Sequence, residues 1–312
     1  MTTQIPLVYI TSNGYSGTTL LDLLLGAHPH LWTLGEAQNL PWELQNPRSP
    51  CGCGQPIEKD DFWQAVVDDI PVETEGYHIG YFRNARQVGK VLRWRLLPDL
   101  LRGNVSQGWR AAVSEYGKKN ARYFRVVQGE AEDRTGQNID WLVDNSKDPY
   151  RLFWLQQSRR FRVRAIHLIK DPRAFVYSVL KRRESYTLRH VIRYTARWIV
   201  ENIIISRVLR SMFTKDVTRI TYDELALRPK NTLQSIGEWV GIEYDPDLVS
   251  TFREYDNHAI SGNMMRWRRS EDDIRLDESW KANLAPLASR LIMALTAPVA
   301  SACGYPKLNK RK

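Results

Sequence analysis

The residues from Ser12 to Thr19 read SNGYSGTT, a run of glycines and hydroxyl-bearing side chains. Gly14 and Gly17 let the backbone turn so that successive N–H groups point at one spot. The apolar helical pattern that follows presents its positive end to the same spot, and the serine and threonine hydroxyls add further donors. The stretch therefore predicts a phosphate-binding loop, with a purely structural turn as the alternative.

This loop lacks the lysine of a nucleotide triphosphatase. A P-loop of that class reads GxxxxGK[ST], in which the lysine reaches the β- and γ-phosphates and the final hydroxyl holds magnesium. Here Thr18 follows Gly17 directly. A magnesium-bound triphosphate therefore fits the loop poorly, and a different phosphate ligand is expected.

A second group of residues that suits an anion lies in HLIKDPRAFVYSVLKRR, from His167 to Arg183. Lys170 stands at the end of a predicted strand, and Ser178 follows eight residues later in the next helix. A cation at a strand end and a hydroxyl in the following helix can surround one phosphate. Both predicted anion sites stand at the carboxyl ends of strands, where open α/β sheets bind ligands.

Strands and helices alternate along the chain. Apolar runs rich in β-formers predict strands at residues 7–11, 163–169 and 217–222, and helical periodicity appears at residues 19–27, 174–183, 190–213 and 232–240. This alternation indicates an α/β fold around a mainly parallel sheet. Residues 40–135 break the pattern and are interpreted as a helical or irregular insertion that caps the substrate site. We expect residues 1–312 to form one domain.

Composition narrows the class of partner. The 312 residues include 43% hydrophobic and 26% charged residues, as in soluble globular proteins, and carry a net charge of +10. Such a charge suits a polyanionic ligand, but the chain shows no zinc-finger spacing and no RNA-binding aromatic motif, so no nucleic-acid partner is expected. No apolar run is long enough to cross a membrane, and MTTQIPLVYI lacks a signal-peptide pattern. Three cysteines fit a reducing compartment, which predicts a cytoplasmic protein.

The two phosphate motifs together resemble those of sulfotransferases that use 3′-phosphoadenosine-5′-phosphosulfate (PAPS). SGTT at Ser16–Thr19 matches the 5′-phosphosulfate loop, and KDPR at Lys170–Arg173 with Ser178 matches the 3′-phosphate motif. The likeness continues in VDNSKDPY, TYDELALRPKNTLQSIGEWVGI and GNMMRW…DESW, and so covers about half the chain. It implies a P-loop-like three-layer fold and transfer of a sulfuryl group to a hydroxyl or amine of a small molecule, sugar or lipid. Adenosine 3′,5′-bisphosphate would be the product, and no metal would be required.

The resemblance assigns roles in binding the nucleotide. The 5′ side of the nucleotide would be bound by Gly14, Tyr15, Ser16, Gly17, Thr18 and Thr19. The 3′-phosphate would be bound by Lys170 and Ser178. Arg173 contacts the cofactor or braces the loop, and Arg266 in GNMMRWRR resembles the late basic segment that closes over the cofactor, with Arg268 and Arg269 as alternatives. The family usually has Arg or Lys where this chain has Tyr15, and Arg where it has Lys170. The first departure removes a charge; the second keeps the charge but loses bidentate geometry.

Two residues are candidates for the chemistry itself. Lys147, in VDNSKDPY, is predicted to stabilise charge at the leaving oxygen, with a surface lysine as the alternative. Glu36, in HPHLWTLGE, is the leading general base; a helix cap or an ion pair is the competing interpretation, and His28 or His30 could take its place.

Other features leave alternatives open. Cys51-Gly-Cys53 is interpreted as a tight turn with two free thiols, because a zinc site needs four ligands and Cys303 lies far away in sequence. The segment 79–102 interleaves leucines with basic residues, so it either lies on a membrane surface or covers a core. Trp32, Trp42, Trp63 and Trp109 could stack on an acceptor or belong to the core. The competing functions are a P-loop-type small-molecule kinase and a nucleotide-binding protein with weakened catalysis.

Overall fold

A five-stranded, all-parallel sheet forms the centre of the protein. A computed structural model describes residues 4–46, 48–70, 95–183, 185–267 and 274–305. The strands are β1 (Ile5–Thr11), β2 (Leu31–Thr33), β3 (Trp141–Lys147), β4 (Phe161–Ile169) and β5 (Val217–Thr221), in the order β2-β3-β1-β4-β5. Because every neighbouring pair is parallel, all the strands end at the same edge of the sheet.

Helices connect the strands and cover the sheet. The helices with defined bounds are α1 (Thr18–Gly26), α2 (Leu40–Leu44), α3 (Asp61–Asp69), α4 (Gln107–Thr135), α5 (Pro149–Gln157), α6 (Pro172–Leu180), α7 (Leu188–Arg210), α8 (Tyr222–Leu227), α9 (Pro229–Val240), α10 (Leu248–Thr251), α11 (Trp280–Asn283) and α12 (Pro286–Ala302). Residues 95–102 are also helical. Within the described ranges, none of these helices combines the length and apolar character that a membrane crossing requires.

The two faces of β1 pack into two different layers. Leu7 and Tyr9 join a core cluster that includes residues of α3, α4 and α5, whereas Val8 and Ile10 join one that includes α1 and α9. Successive side chains of a strand point to opposite faces, so alternate residues of β1 serve opposite layers. A further cluster joins α6, α7 and α12. The predicted α/β class with a P-loop-like fold and a central parallel sheet is thus confirmed.

The region between β2 and β3 holds α2, α3, residues 95–102 and α4. Most of the basic segment 79–102 lies outside the described residues. In its described part, Leu96 and Leu100 are buried in the same core cluster as Leu7. This part therefore covers a core.

Strand β3 was not predicted, because its second half, DNSK, is polar. The side chains of Asp144, Asn145 and Ser146 are nevertheless buried. Asp144 accepts from Arg151 Nε at 2.8 Å, and Asn145 Nδ2 donates to the Thr18 carbonyl at 3.3 Å. Arg151 also donates to the Tyr116 hydroxyl at 2.6 Å and to Asn120 Oδ1 at 2.8 Å. A buried ion pair thus joins β3 to α5 and α4, and hydrophobic periodicity gives no signal for such a strand.

We expect Arg151→Met to lower the free energy of unfolding by about 3–5 kcal/mol, because the Asp144 carboxylate would be left buried and unpaired. Urea denaturation followed by circular dichroism measures the change. Arg125→Met, at an exposed position of α4, is the matched control and should stay within about 0.5 kcal/mol of the wild type. Equal effects of the two variants would contradict a structural role for the buried pair.

Candidate active site

The loop between β1 and α1 has the geometry of an anion cradle. Tyr15 and Gly17 adopt left-handed backbone conformations, with φ of +69° and +86°. Among the described residues, the backbone N–H groups of Gly14, Tyr15 and Gly17 make no hydrogen bond, and the buried Ser16 hydroxyl has no partner. Because buried polar groups are normally paired, this set of free donors indicates a site for an anion.

Side chains of α7 and β4 hold the start of this loop. Asn13 Nδ2 donates to Glu201 Oε2, and Asn13 Oδ1 accepts from Asn202 Nδ2, both at 2.6 Å. Asn202 Oδ1 in turn lies 3.0 Å from His167 Nε2. Burial lowers the pKa of His167 to about 3, so its imidazole is neutral and donates to this oxygen. The loop is thereby tied to the sheet independently of any ligand.

Lys170 lies beside the loop as a buried cation. Its Nζ donates to Ser178 Oγ at 3.2 Å and to the Tyr15 carbonyl at 3.4 Å, and it lies 4.8 Å from the centre of the Tyr222 ring. Within the part of the chain that the structure describes, no carboxylate oxygen lies within 4.0 Å of it. Burial lowers the pKa of Lys170, and the carboxylates of Asp277, Asp223 and Asp171 oppose this shift only from beyond 4.0 Å. An anion bound here would supply the missing counter-charge.

Lys147 and Glu36 form an ion pair at the same edge of the sheet. Lys147 is the last residue of β3 and has a φ of +65°, and its Nζ lies 2.6 Å from Glu36 Oε1. The other Glu36 oxygen accepts from Asn39 Nδ2 at 3.1 Å. The exposed fractions of the two side chains are 14% and 7%, so the pair is largely shielded from water. A cation and a carboxylate are thus positioned side by side, as proton transfer with charge stabilisation requires.

A cleft of about 470 Å³ opens next to Glu36. Its lining residues are Glu36, Asn39, Trp42, Glu43, Ser49, Pro50, Ser261, Gly262, Met264 and Trp267. The cleft adjoins the loop, because the Asn263 N–H, next to Gly262, donates to Thr19 Oγ1 at 3.2 Å. Of the four tryptophans proposed for acceptor stacking, Trp42 lines the cleft, Trp32 and Trp63 are buried, and Trp109 packs against Trp154.

Arg173 and Arg266 both have carboxylate partners within the protein. Arg173 makes a bidentate contact with Asp171, at 3.1 and 2.7 Å, and its guanidinium lies 4.2 Å from the centre of the Trp280 ring. Arg266 is buried and donates to Asp22 Oδ2 at 2.6 Å, which joins its segment to α1. Their contacts with a cofactor therefore stay predictions. Arg268 and Arg269 lie outside the described residues.

His28 and His30 lie at the C-terminal end of α1 rather than beside Lys147. His28 Nε2 contacts the Glu243 carbonyl at 2.9 Å, and His30 Nδ1 contacts the Asn138 carbonyl at 2.8 Å. Burial lowers the pKa of His28. These contacts support a structural role for both histidines.

The sequence interpretation missed two arginines that approach the loop. The Arg182 guanidinium lies 4.6 Å from the centre of the Tyr15 ring, and Arg197 Nη2 lies 3.6 Å from the position that a Cβ on Gly14 would take. Arg182 therefore brings a positive charge to Tyr15, whereas the charge of Arg197 is paired with Glu201 at 2.8 Å. The KRR that follows the KDPR helix was the available signal for Arg182.

The structure also changes the interpretation of the CGC turn. Ligating atoms of Cys51, Cys53, Asp60 and His258 all lie within 4.8 Å of one another. All three cysteines are free, and Cys303 is buried elsewhere, in the cluster around α12. The two thiols thus have nearby partners that their sequence spacing did not reveal.

Gly17→Ala is expected to destabilise the protein, because a Cβ at this left-handed residue would lie 2.3 Å from the Tyr222 ring. The backbone conformation alone costs about 1–2 kcal/mol for a residue with a Cβ. Gly129→Ala is a matched control, since its Cβ would meet open space on α4 and should stabilise the helix by about 0.5–1 kcal/mol. Chemical denaturation of both variants tests the pair; a gain in stability for Gly17→Ala would refute the loop geometry.

The fold is similar to that of solved sulfotransferase domains. The sulfotransferase domain of the olefin synthase of Synechococcus PCC 7002 has a TM-score of 0.54 and 20% identity, with 95% of this chain and 96% of that chain covered. The sulfotransferase domain from the curacin biosynthetic pathway has a TM-score of 0.54 and 18% identity, with 97% and 99% covered. No protein-family model and no curated protein matches the sequence. The chain therefore has the sulfotransferase fold.

Proposed function

We propose that the protein is a sulfotransferase that moves a sulfuryl group from PAPS to a hydroxyl or amine of a small molecule, sugar or lipid. The observation that carries this proposal is Lys170, a buried cation that has no carboxylate within 4.0 Å among the described residues and lies next to a loop of unpaired donors. Two adjoining sites that both need an anion suit a nucleotide with phosphates at two positions of one ribose.

The loop and the KDPR segment would each bind a different phosphate group of the nucleotide. The N–H groups of Gly14 to Gly17, with the hydroxyls of Ser16, Thr18 and Thr19, would hold the 5′-phosphosulfate at the positive end of α1. Lys170 and Ser178, whose polar atoms lie 3.2 Å apart, would hold the 3′-phosphate. The bond from Lys170 to the Tyr15 carbonyl would link the two sites.

Lys147 and Glu36 would perform the transfer. The acceptor oxygen or nitrogen forms a bond to sulfur while the bond from sulfur to the phosphate oxygen breaks, in an in-line displacement. Lys147 would stabilise the negative charge that develops on the departing phosphate oxygen. Glu36 would take the acceptor proton, because its carboxylate borders the cleft in which the acceptor would lie.

Tyr15 bears on the alternative of a nucleotide-binding protein with weakened catalysis. Its side chain is 39% exposed and carries no charge where the family has a basic residue. Arg182, stacked on the Tyr15 ring, would restore a positive charge near the transferring group. This contact supports a competent enzyme over a degraded one.

The cleft suits a small acceptor. Trp42 and Met264 provide apolar contact surface, and Glu36 and Glu43 provide carboxylates, so the cleft would favour a hydroxyl- or amine-bearing molecule with an apolar body. The three free cysteines support a reducing compartment, and we therefore propose a cytoplasmic location.

We expect adenosine 3′,5′-bisphosphate to bind with micromolar affinity in isothermal titration calorimetry, and ATP with magnesium to bind far more weakly. Lys170→Ala should weaken bisphosphate binding about 10- to 150-fold, since a charged hydrogen bond contributes about 1.5–3 kcal/mol. Ser178→Ala should have a smaller effect, and Lys118→Ala, at an exposed site of α4, should have none. Binding of ATP and magnesium without binding of the bisphosphate would make the protein a kinase candidate instead.

The same titration has an expected pH dependence. Because burial lowers the pKa of Lys170 below its ordinary value of 10.5, the lysine loses its charge earlier than an exposed one as pH rises. Bisphosphate affinity should therefore be greatest below that lowered pKa and should fall as pH rises through it. Lys170→Ala should remove this decline.

Lys147→Ala and Glu36→Gln should each reduce kcat for transfer by about 10²–10⁴, because they remove charge stabilisation and the proton acceptor. Transfer of label from PAPS to a panel of phenols, alcohols and amines measures the effect, and bisphosphate affinity should change much less. Glu58→Gln, at an exposed position, is the control. Wild-type kcat in Glu36→Gln would exclude Glu36 as the base, and a large gain in Tyr15→Lys would favour the weakened-catalysis alternative.

A further inference from the structure

Two thiols, a carboxylate and an imidazole converge outside the proposed active site. Cys53 Sγ lies 2.9 Å from Asp60 Oδ2, Cys51 Sγ lies 3.7 Å from His258 Nδ1, and His258 Nδ1 lies 2.9 and 3.0 Å from the two Asp60 oxygens. The four residues come from the CGC turn, the residue before α3 and the loop after α10. Cys53 is partly buried and the other three are buried. Neither the nucleotide site nor the proposed transfer uses any of them.

We propose that Cys51, Cys53, Asp60 and His258 bind a structural zinc ion. Thiolate sulfur, imidazole nitrogen and carboxylate oxygen are the ligands of zinc, which takes four of them at about 2.0–2.3 Å in a tetrahedral arrangement. Such a tetrahedron separates its ligand atoms by about 3.3–3.8 Å. The Cys51–His258 separation of 3.7 Å already has this value, and the contacts of 2.9 Å need to open by less than 1 Å.

The surroundings of His258 match those of a zinc-bound imidazole. Its Nδ1 faces the cluster, while its Nε2 lies 3.0 Å from Asp256 Oδ1. The Asp256 carboxylate makes no hydrogen bond to this nitrogen, but its charge favours a proton there, which leaves the near nitrogen free to bind metal. The ring packs against Phe62 and Trp32, with centroid separations of 5.0 and 6.1 Å. These contacts hold the imidazole in the orientation that the cluster requires.

Asp60 and the CGC turn are held in place in the same way. Asp60 Oδ1 accepts the Trp63 N–H at 3.0 Å as the N-cap of α3. The Gly52 N–H donates to the Ala259 carbonyl at 3.0 Å, and Trp267 Nε1 donates to the Cys51 carbonyl at 2.6 Å. The bond from Trp63 orients the Asp60 carboxylate, and the bonds to Ala259 and from Trp267 hold the CGC turn. The ligands are thus positioned without a metal.

The place of the cluster indicates what the zinc would do. Residues near both ligand segments line the cleft, namely Ser49 and Pro50 before Cys51 and Ser261 and Gly262 after His258. Between them, the Ile260 carbonyl accepts the Glu36 N–H at 2.9 Å. With four protein ligands the ion has no open position, so its role is structural. It would fix the walls of the cleft and the backbone of Glu36.

Metal analysis of the full-length protein tests this proposal directly. Protein purified without chelators from zinc-supplemented medium should hold about one zinc per chain by inductively coupled plasma mass spectrometry. Asp60→Asn keeps the size and the capping oxygen of the side chain but removes its charge, and together with Cys51→Ser and Cys53→Ser it should lower the zinc content. Cys303→Ser, outside the cluster, should keep the full content and is the matched control.

A second measurement on the wild type does not depend on variants that fold. Cobalt added to the reduced, metal-free protein should produce a thiolate-to-cobalt charge-transfer absorption, which zinc should then abolish. Zinc below about a tenth of an equivalent, together with no such absorption, would overturn the proposal. A mass two hydrogens lower in the isolated protein, locating a Cys51–Cys53 disulfide, would overturn it as well. Neither readout involves the nucleotide, so its outcome is separate from that of the bisphosphate titration.

Discussion

The buried ion pair between Asp144 and Arg151 is the interaction on which the reactive edge of the sheet depends. It compensates a charge inside β3 and joins that strand to α5, while Tyr116 and Asn120 of α4 accept hydrogen bonds from Nη1 of the guanidinium. A buried pair of this kind contributes little net stability, but either partner alone is costly, so the two residues enforce one arrangement. That arrangement places Lys147 at the strand end, within 2.6 Å of Glu36.

Two strands away at the same edge of the sheet, a buried lysine has no ion-pair partner among the described residues. Lys170 directly follows β4 as a buried cation that has no carboxylate within 4.0 Å in the described parts of the chain, and the adjacent loop offers donors without acceptors. An isolated protein gains nothing from such an arrangement, since both features cost free energy. A bound anion would satisfy both together. Local departures from good pairing of this sort are typical of functional sites.

Long-range contacts complete the site from the far end of the chain. Segment 256–267 supplies His258 to the two thiols, a carbonyl to the backbone of Glu36, and Arg266 to Asp22 on α1. The walls of the cleft and the helix behind the phosphate loop are thus held by one stretch. If zinc binds as proposed, the cleft and the nucleotide loop would have separate supports that share this segment.

Features with local signals could be predicted from the order of residues alone. The phosphate loop, β1, β4, β5 and the helices after them follow from glycine positions, apolar runs and periodicity within a few residues. The alternation of these strands and helices was sufficient to predict the parallel α/β fold. The remaining features depend on contacts between segments that are far apart in the chain. The polar second half of β3 is stabilised by buried side chains such as Arg151, so it lacks the periodic apolar pattern of a typical strand. Arg266 bonds to Asp22, which lies 244 residues earlier in the chain. The partners of Cys51 and Cys53 include a histidine about two hundred residues away. Pairings of this kind leave no mark on neighbouring residues, because they are fixed by the packing of distant segments and not by local conformation.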